Sequence, residues 1–262
     1  MNKDALGDRM KGYESNQRFM PFLPIIARID GKCFSKFTKG LERPYDDGFI
    51  AAMRLLTQHL VKETNACIGY TQSDEISLVI YSDDINVELP FGGKVQKMTS
   101  LLASIATAKF SQLRPKFLNG YKEDTLAMFD CRCFQVPTKD EAANNILWRE
   151  QDACRNSVSM LARHYISHNE MMNVSSKELQ ELLWQRHQVN YNDYPAYFKR
   201  GSFFRRTLTL LEPGEMNDIP EEYRPTKPIE RHVIREVNMP IFSKVTNRVE
   251  VIFDGAEPLT NG

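Results

Sequence analysis

The stretch Ile68-Gly-Tyr-Thr-Gln-Ser-Asp-Glu-Ile-Ser-Leu-Val-Ile80 constrains this chain more than any other. On its far side Ser77, Val79 and Tyr81 alternate with Leu78 and Ile80, the period of two that belongs to a strand. The stretch therefore reads as a hairpin running from about Cys67 to Tyr81, with adjacent carboxylates, Asp74 and Glu75, at the bend. Two anionic side chains at the tip of an apolar hairpin are either solvated turn residues or metal ligands. What the remaining chain places beside them decides between the two.

Pro24-Ile-Ile-Ala-Arg-Ile-Asp30 is a compact apolar run and reads as a first strand ending in Asp-Gly, where Gly31 permits a tight turn. Phe34 and Phe37 are expected to pack beneath the loop that follows. Pro44-Tyr-Asp-Asp-Gly48 opens a helix with Asp46 or Asp47 as its N-cap. Phe49, Met53, Leu56 and Leu60 form one face of that helix. After the hairpin, Pro90-Phe-Gly-Gly breaks the chain, and Val95, Met98, Leu101, Leu102, Ile105 and Ala108 mark a second amphipathic helix. Ala127–Val136 alternates as a fourth strand and stops at Pro137.

The order strand, helix, strand, strand, helix, strand predicts an α+β fold. It implies a palm-like, ferredoxin-type βαββαβ antiparallel sheet with helices on one face, followed by a helical and short-strand extension. Residues 1–140 would form the palm-like core, and residues 141–262 a helical region integrated with it. Right-handed crossovers put the first and third strands side by side. The end of strand one, Asp30, should then lie beside Asp74 and Glu75, with the Gly31 carbonyl close by. Mg²⁺ takes hard oxygen ligands and keeps water and substrate phosphate in its remaining positions. Two such ions can clamp a nucleotidyl transfer.

Composition narrows the class without naming a function. The chain has 262 residues, 42% apolar and 26% charged, with a net charge of zero. No apolar run is long enough to span a membrane, and the start of the chain does not read as a signal peptide. Five scattered cysteines, Cys33, Cys67, Cys131, Cys133 and Cys154, suggest a reduced, cytoplasmic setting. Residues 1–20 read as a polar arm or short helix.

Beyond the palm, helices are expected over about Asp140–Ser167 and from Ser175 or Ser176 to about His187. A turn-rich basic and aromatic loop follows over Asn190–Gly201, then a strand over Ser202–Leu211. Glu212–Pro228 reads as a surface excursion, and Val233–Val237 and Arg248–Phe253 as two short strands. Arg149, Arg155, Arg163, Arg186, Lys199, Arg200, Arg205 and Arg206, interleaved with Tyr191, Tyr194, Tyr197 and Phe198, suit phosphate contacts and base stacking. Their alternative is solvated helix cations and buried tyrosines.

Arg28-Ile-Asp-Gly-Lys-Cys-Phe-Ser-Lys-Phe37 and Tyr70-Thr-Gln-Ser-Asp-Glu75 resemble the two signature motifs of the tRNA(His) guanylyltransferase family, the 3′–5′ polymerases that add nucleotides to tRNA 5′ ends. The likeness continues through Lys97-Met-Thr-Ser, Phe129-Asp-Cys-Arg-Cys, Trp148-Arg-Glu-Gln-Asp-Ala-Cys-Arg-Asn-Ser and Asn190-Tyr-Asn with Lys199-Arg-Gly-Ser. The resemblance implies two Mg²⁺ ions bridged by Asp30 and Asp74, with the Gly31 carbonyl as a further ligand and Glu75 in support. It implies triphosphate held by the backbone amides of Lys32, Cys33, Phe34 and Ser35, with Ser73, Arg43, Lys97 and Arg132 as further nucleotide contacts. ATP or GTP would serve as substrate or activator, and tRNA would be contacted by Arg155, Asn156, Lys199 and Arg200. A homotetramer, a dimer of dimers, is implied as well.

One departure bears on the substrate. Eukaryotic members carry His-Ile-Asn-Asn-Leu-Tyr where this chain has Cys154-Arg-Asn-Ser-Val-Ser159. The loss resembles the guanylyltransferase-like branch of bacteria, archaea and phages, which repairs 5′-truncated tRNAs by templated addition. The function expected is therefore template-dependent 3′–5′ nucleotide addition. G−1 addition to tRNA(His), a palm-type nucleotide cyclase and a non-catalytic tRNA-binding protein are the alternatives. Three smaller features read as structural: Cys131-x-Cys133 as core packing, His164-x₃-His168 as a solvated helix face, and Met171-Met172 as gap-filling.

Overall fold

In the computed structural model the described residues are 5–119, 125–216 and 219–261. Met1–Asp4 of the expected arm and Asn217 and Asp218 of the Glu212–Pro228 excursion lie outside them. Six strands form one antiparallel sheet: β1 (Ile25–Gly31), β2 (Ile68–Gln72), β3 (Glu75–Ile80), β4 (Phe129–Gln135), β5 (Ser202–Leu211) and β6 (Ile229–Val237). Their spatial order is β4-β1-β3-β2-β5-β6. The first and third strands are neighbours, as the chain order predicts. The last two strands extend the same sheet, β5 pairing with β2 through Gly69↔Phe204, Tyr70↔Phe203 and Thr71↔Ser202.

Alternation along the strands gives the sheet two different faces. Ile25, Ala27 and Ile29 of β1 and Ile76, Leu78 and Ile80 of β3 are buried on one face. There they meet α3 (Asp47–Thr64) and α4 (Val95–Phe117) in one cluster. Helix α3 begins where expected: Asp46 is its cap, accepting from the Phe49 N–H at 2.8 Å. Phe49, Met53, Leu56 and Leu60 are its buried stripe, each side chain worth roughly 1.5–3 kcal/mol of burial.

The other face, which carries Ile26, Arg28 and Asp30, is only partly covered. Helix α5 (Lys139–Tyr165), capped by Thr138, lays Ala142, Ala143, Ile146 and Ala153 over Ile26, Ile68, Tyr70, Val79 and Phe203. Past that point α5 packs Val158, Leu161 and Ala162 against Leu179 and Leu183 of α7 (Ser176–His187) and Phe198 of α8 (Ala196–Arg200). The minor helices are α1 (Ala5–Lys11), α2 (Phe34–Phe37), α6 (His168–Met171) and α9 (Arg248–Phe253).

Several sequence expectations change here. Arg248–Phe253 is a helix, not a strand. Val251 N–H donates to Asn247 O and Asp254 N–H to Glu250 O, both at 3.0 Å, the i−4 bonding of a helix turn. The Asn190–Gly201 loop contains a 3₁₀ turn at Tyr191–Asp193 and the helix α8. Strand β6 starts at Ile229, four residues ahead of the expected Val233. His164 and His168 sit on different helices, separated by the end of α5 and the Ser167 N-cap of α6. Of the Met171–Met172 pair, Met171 packs against the α5–α7 cluster as expected, whereas Met172 is 60% exposed.

Candidate active site

Asp30 is the penultimate residue of β1, and in the strand register it lies opposite Glu75 on β3 and Asp130 on β4. Directly opposed residues of antiparallel strands share a face. Glu75, Asp30 and Asp130 therefore stand in a row on the partly open face. Glu75 is thus the first residue of a strand and not part of the bend. The bend is Ser73-Asp74, in which Ser73 takes φ 53°, as a two-residue hairpin loop requires. The Ser73 hydroxyl donates to Asp74 Oδ1 at 3.0 Å.

The backbone supplies one more oxygen. Lys32 N–H donates to Met128 O at 2.8 Å, so in the alternating ladder Gly31 and Phe129 form a pair without mutual hydrogen bonds. Both polar groups of Gly31 then face the hairpin. Its N–H donates to Asp74 O at 3.1 Å, while its carbonyl accepts no backbone N–H of the Ser73-Asp74 turn among the described residues. Gly31 has a further reason to be glycine. A Cβ there would lie 2.5 Å from the Phe34 ring.

Burial raises the carboxyl pKa of Asp30, Asp74 and Glu75 alike. At Asp30 the charge of Asp130 adds to the rise, and at Asp74 that of Asp30 does, so these groups feel one another. Glu75 differs because it already has a cation. Arg149 Nε and Nη2 donate to its two oxygens at 2.5 and 2.7 Å, and both side chains are largely buried. Asp30, Asp74 and the Gly31 carbonyl remain as an oxygen set of the hard kind Mg²⁺ prefers, with repulsion a cation would relieve. Among the described residues no three His, Cys, Asp or Glu side chains converge as a metal cluster. A cation here would depend on the carbonyl, water and substrate oxygens as well.

Next to this set the chain turns into α2. Cys33 caps the helix in the left-handed region at φ 57°. The amides of Cys33, Phe34 and Ser35 have no hydrogen-bond acceptor among the described residues, and they form a small nest of N–H donors. The Lys32 amide, expected in the same group, is engaged by Met128. Phe34 and Phe37 seat this turn as expected, their rings 4.8 Å apart and Phe34 4.9 Å from Phe129.

The remaining nucleotide candidates divide. Arg132 lies on the Asp30 face, its Nε 3.8 Å from Asp130. Arg43 is exposed and borders a cleft shared with Ser73, Gln72 and Tyr45. Lys97 is not brought to the carboxylates within this chain. It occupies the first turns of α4, near the Cys133 end of β4, whereas Thr107, later on α4, meets Phe129. Lys97 instead lines a hollow with Arg18 and Lys94.

Of the basic residues proposed for tRNA, Arg155, Lys199 and Arg200 share one groove with Cys154, Tyr191 and Ile241. Asn156 is exposed beside it. Arg149, Arg186 and Arg205 are paired with Glu75, Glu170 and Glu257. The aromatic residues divide: Tyr191 lines the groove and Tyr194 and Tyr197 are half-buried, whereas Phe198 belongs to the core. Phe198 is buried against Tyr45, and the Tyr191 hydroxyl shares a 2.8 Å bond with Ser157. Asp130 is the residue the sequence reading missed. It sits inside a noted motif, and only the β1–β4 register shows that it faces Asp30.

Residues 7–137 match the family model described as tRNAHis guanylyltransferase, half of the chain. This chain belongs to the tRNA(His) guanylyltransferase family. A solved bacterial tRNA(His) guanylyltransferase-like protein in complex with ATP superposes with a TM-score of 0.80 at 32% identity, covering 95% of this chain and 99% of that one. The tRNA(His) guanylyltransferase of Candida glabrata is 28% identical over 218 residues, 77% of this chain and 90% of its own. The Saccharomyces cerevisiae crystal structure, at 23% identity and a TM-score of 0.66, shares the fold over 85% of this chain and 94% of its own. The chain is a nucleotidyltransferase that adds nucleotides to tRNA 5′ ends, and the cyclase and non-catalytic readings fall away.

Proposed function

We propose that this guanylyltransferase-family enzyme extends 5′-truncated tRNAs in the 3′–5′ direction, copying the opposite acceptor strand. The observation that carries the reading is the meeting of Asp30, Asp74 and the unengaged Gly31 carbonyl beside the free amides of Cys33, Phe34 and Ser35. Carboxylates and amides so placed suit the two ends of a nucleoside triphosphate. Asp30, Asp74 and the Gly31 carbonyl would hold Mg²⁺, which when bound favours the ionised hydroxyl and neutralises charge on departing pyrophosphate. The α2 amides and Arg132 orient the triphosphate. The 3′-hydroxyl of the incoming NTP attacks the α-phosphorus of the RNA's triphosphorylated 5′ end. One P–O bond forms, the bond to pyrophosphate breaks, and the hydroxyl proton leaves to solvent.

Repair is favoured over G−1 addition because Cys154 replaces the histidine of the eukaryotic block and lies in the groove with Arg155, Lys199 and Arg200. A cytoplasmic tetramer in which tRNA spans subunits completes the reading, and five free thiols accord with a reduced compartment. The test is extension of matched truncated and full-length tRNA(His) and non-His transcripts by purified protein. Mg²⁺-dependent, template-matched addition to truncated RNAs is expected. No extension with any NTP refutes the reading, and addition confined to full-length tRNA(His) replaces it with G−1 transfer.

A further inference from the structure

We propose that Asp152 is a positioning residue that couples RNA contact on helix α5 to the catalytic hairpin. The inference rests on the RNA-extension reading above and adds a residue and a coupling to it. The contacts are continuous. Arg149 grips both oxygens of Glu75, and its Nη2 also donates to Asp152 Oδ2 at 3.1 Å. Asp152 Oδ1 accepts from Arg155 Nη2 at 3.0 Å, and Oδ2 accepts from Asn156 Nδ2 at 3.2 Å. One carboxylate thus joins the residue facing Asp30 across the strand register to two residues that α5 presents at the RNA groove.

Helical spacing explains the arrangement. Residues 149, 152, 155 and 156 fall three and four apart along one flank of α5, while Glu150, Ala153 and Ser157 point into the core. Charge explains what the chain does. Asp152 divides one negative charge between two guanidinium groups, and Arg155 is the exposed one, at 56%. A phosphate arriving at Arg155 competes for that guanidinium and releases Asp152 toward Arg149. Arg149 in turn fixes Glu75, the residue that starts β3 beside Asp30 and follows Asp74 in the chain. RNA engagement therefore tightens the geometry of the carboxylate set, and by linkage an ordered hairpin favours RNA.

The test is single-turnover extension of a 5′-triphosphorylated, truncated tRNA transcript at saturating RNA. Asp152→Asn preserves shape and one acceptor. Its rate constant should fall about 10-fold or more, with RNA affinity within about twofold of wild type or tighter and the thermal midpoint retained. Arg155→Ala should lower the rate in the wild-type background and not lower it further in the Asp152→Asn background. A second readout needs no turnover. The Arg149 guanidinium lies 4.4 Å from the Trp148 ring, so in a Trp184→Phe protein RNA should change Trp148 emission, and Asp152→Asn should abolish that change. An unchanged rate in Asp152→Asn, or independent multiplication of the two effects, overturns the coupling while extension itself stands. A wild-type protein that neither binds nor extends RNA refutes the functional reading, and the coupling with it.

Discussion

Gly31→Ala is the sharpest probe of how the fold builds the site. A Cβ at this position would approach Cδ2 and Cγ of Phe34 to 2.5 Å and Cε2 to 2.9 Å. Carbon contacts relax at about 3.5–4.0 Å, so the ring must retreat by about 1 Å. It has little room to do so, because Phe34 is buried and touches Phe37, Phe49, Phe110 and Phe129. Overpacking of this kind costs about 1–3 kcal/mol, and about 2 kcal/mol in a chain of this length lowers Tm by about 4–8 °C. The functional loss should be larger than the stability loss. Phe34 carries one of the three free amides of the α2 nest, and Gly31 carries the unengaged carbonyl. A displacement of about 1 Å at a positioned group can reduce the rate about 100-fold. Calorimetry and single-turnover extension measure the two effects separately. Gly31→Ala combined with Phe34→Leu should recover part of the Tm and not the rate. A single variant with wild-type Tm and rate would show that the ring moves freely, and the link between this glycine and the phosphate turn would fail.

Other outcomes follow from the same geometry. Asp30→Asn and Asp74→Asn should each abolish Mg²⁺-dependent extension yet raise Tm in metal-free neutral buffer, because each removes a buried, repelling charge; a lowered Tm would contradict that cause. The folded-state pKa values of Asp30, Asp74 and Glu75 lie above their ordinary values. Their contribution to stability is thus fully present below the ordinary carboxylate range and is lost as pH rises through the raised values. Mg²⁺ should consequently raise Tm more at neutral pH than in mildly acidic buffer, as thermal scans in both would show. Arg149→Met leaves Glu75 buried without its cation and should cost about 3–5 kcal/mol, whereas Glu75→Gln with Arg149→Met should cost less, measured by denaturant unfolding. Replacing Arg155, Lys199 or Arg200 by Ala should each flatten the dependence of log RNA affinity on log salt by about 0.7–0.9.

The palm was legible because its signals are local and agree with one another. The four-residue stripe and Asp46 cap of α3, the compact apolar run of β1 and the alternation in β3 each agree with the element formed, and right-handed crossovers leave one adjacency for β1 and β3. The Asp30–Asp74 meeting followed from that adjacency alone. What stayed hidden depended on register or on long-range pairing. Asp130 faces Asp30 only because Ile29 pairs with Cys131 and not with a neighbour one residue along; one step of slip would bury it. The Glu75–Arg149 pair joins residues 74 positions apart, and a motif containing Arg149 does not say which carboxylate it holds. Arg248–Phe253 misled because a six-residue segment with three β-branched residues, Val249, Val251 and Ile252, fits either period, and packing against α5 settles the outcome.

Coverage of the sheet determines how two substrates can reach one carboxylate row. Over β2 and β5 the face is sealed, with Tyr70 and Phe203 beneath α5 and the segment that carries Met239 and Phe242. Over β4, the edge strand, it is open: the side chains of Asp130 and Arg132 are 49% and 60% exposed, and Phe134 is exposed as well. The groove of Arg155, Lys199 and Arg200, proposed above for RNA, lies along α5, away from the open β4 edge. An RNA end arriving over α5 and a nucleotide arriving over β4 would meet at Asp30 without crossing, as a reaction joining the two requires. The separation makes a kinetic prediction. Arg132→Ala should raise the KM for NTP several-fold and leave RNA affinity unchanged, while Arg155→Ala should weaken RNA binding and leave the NTP KM unchanged. Steady-state titration of each substrate against both variants reads this directly. Variants that raise both constants together would mean that the nucleotide and the RNA share one approach, and the two-sided arrangement would be wrong.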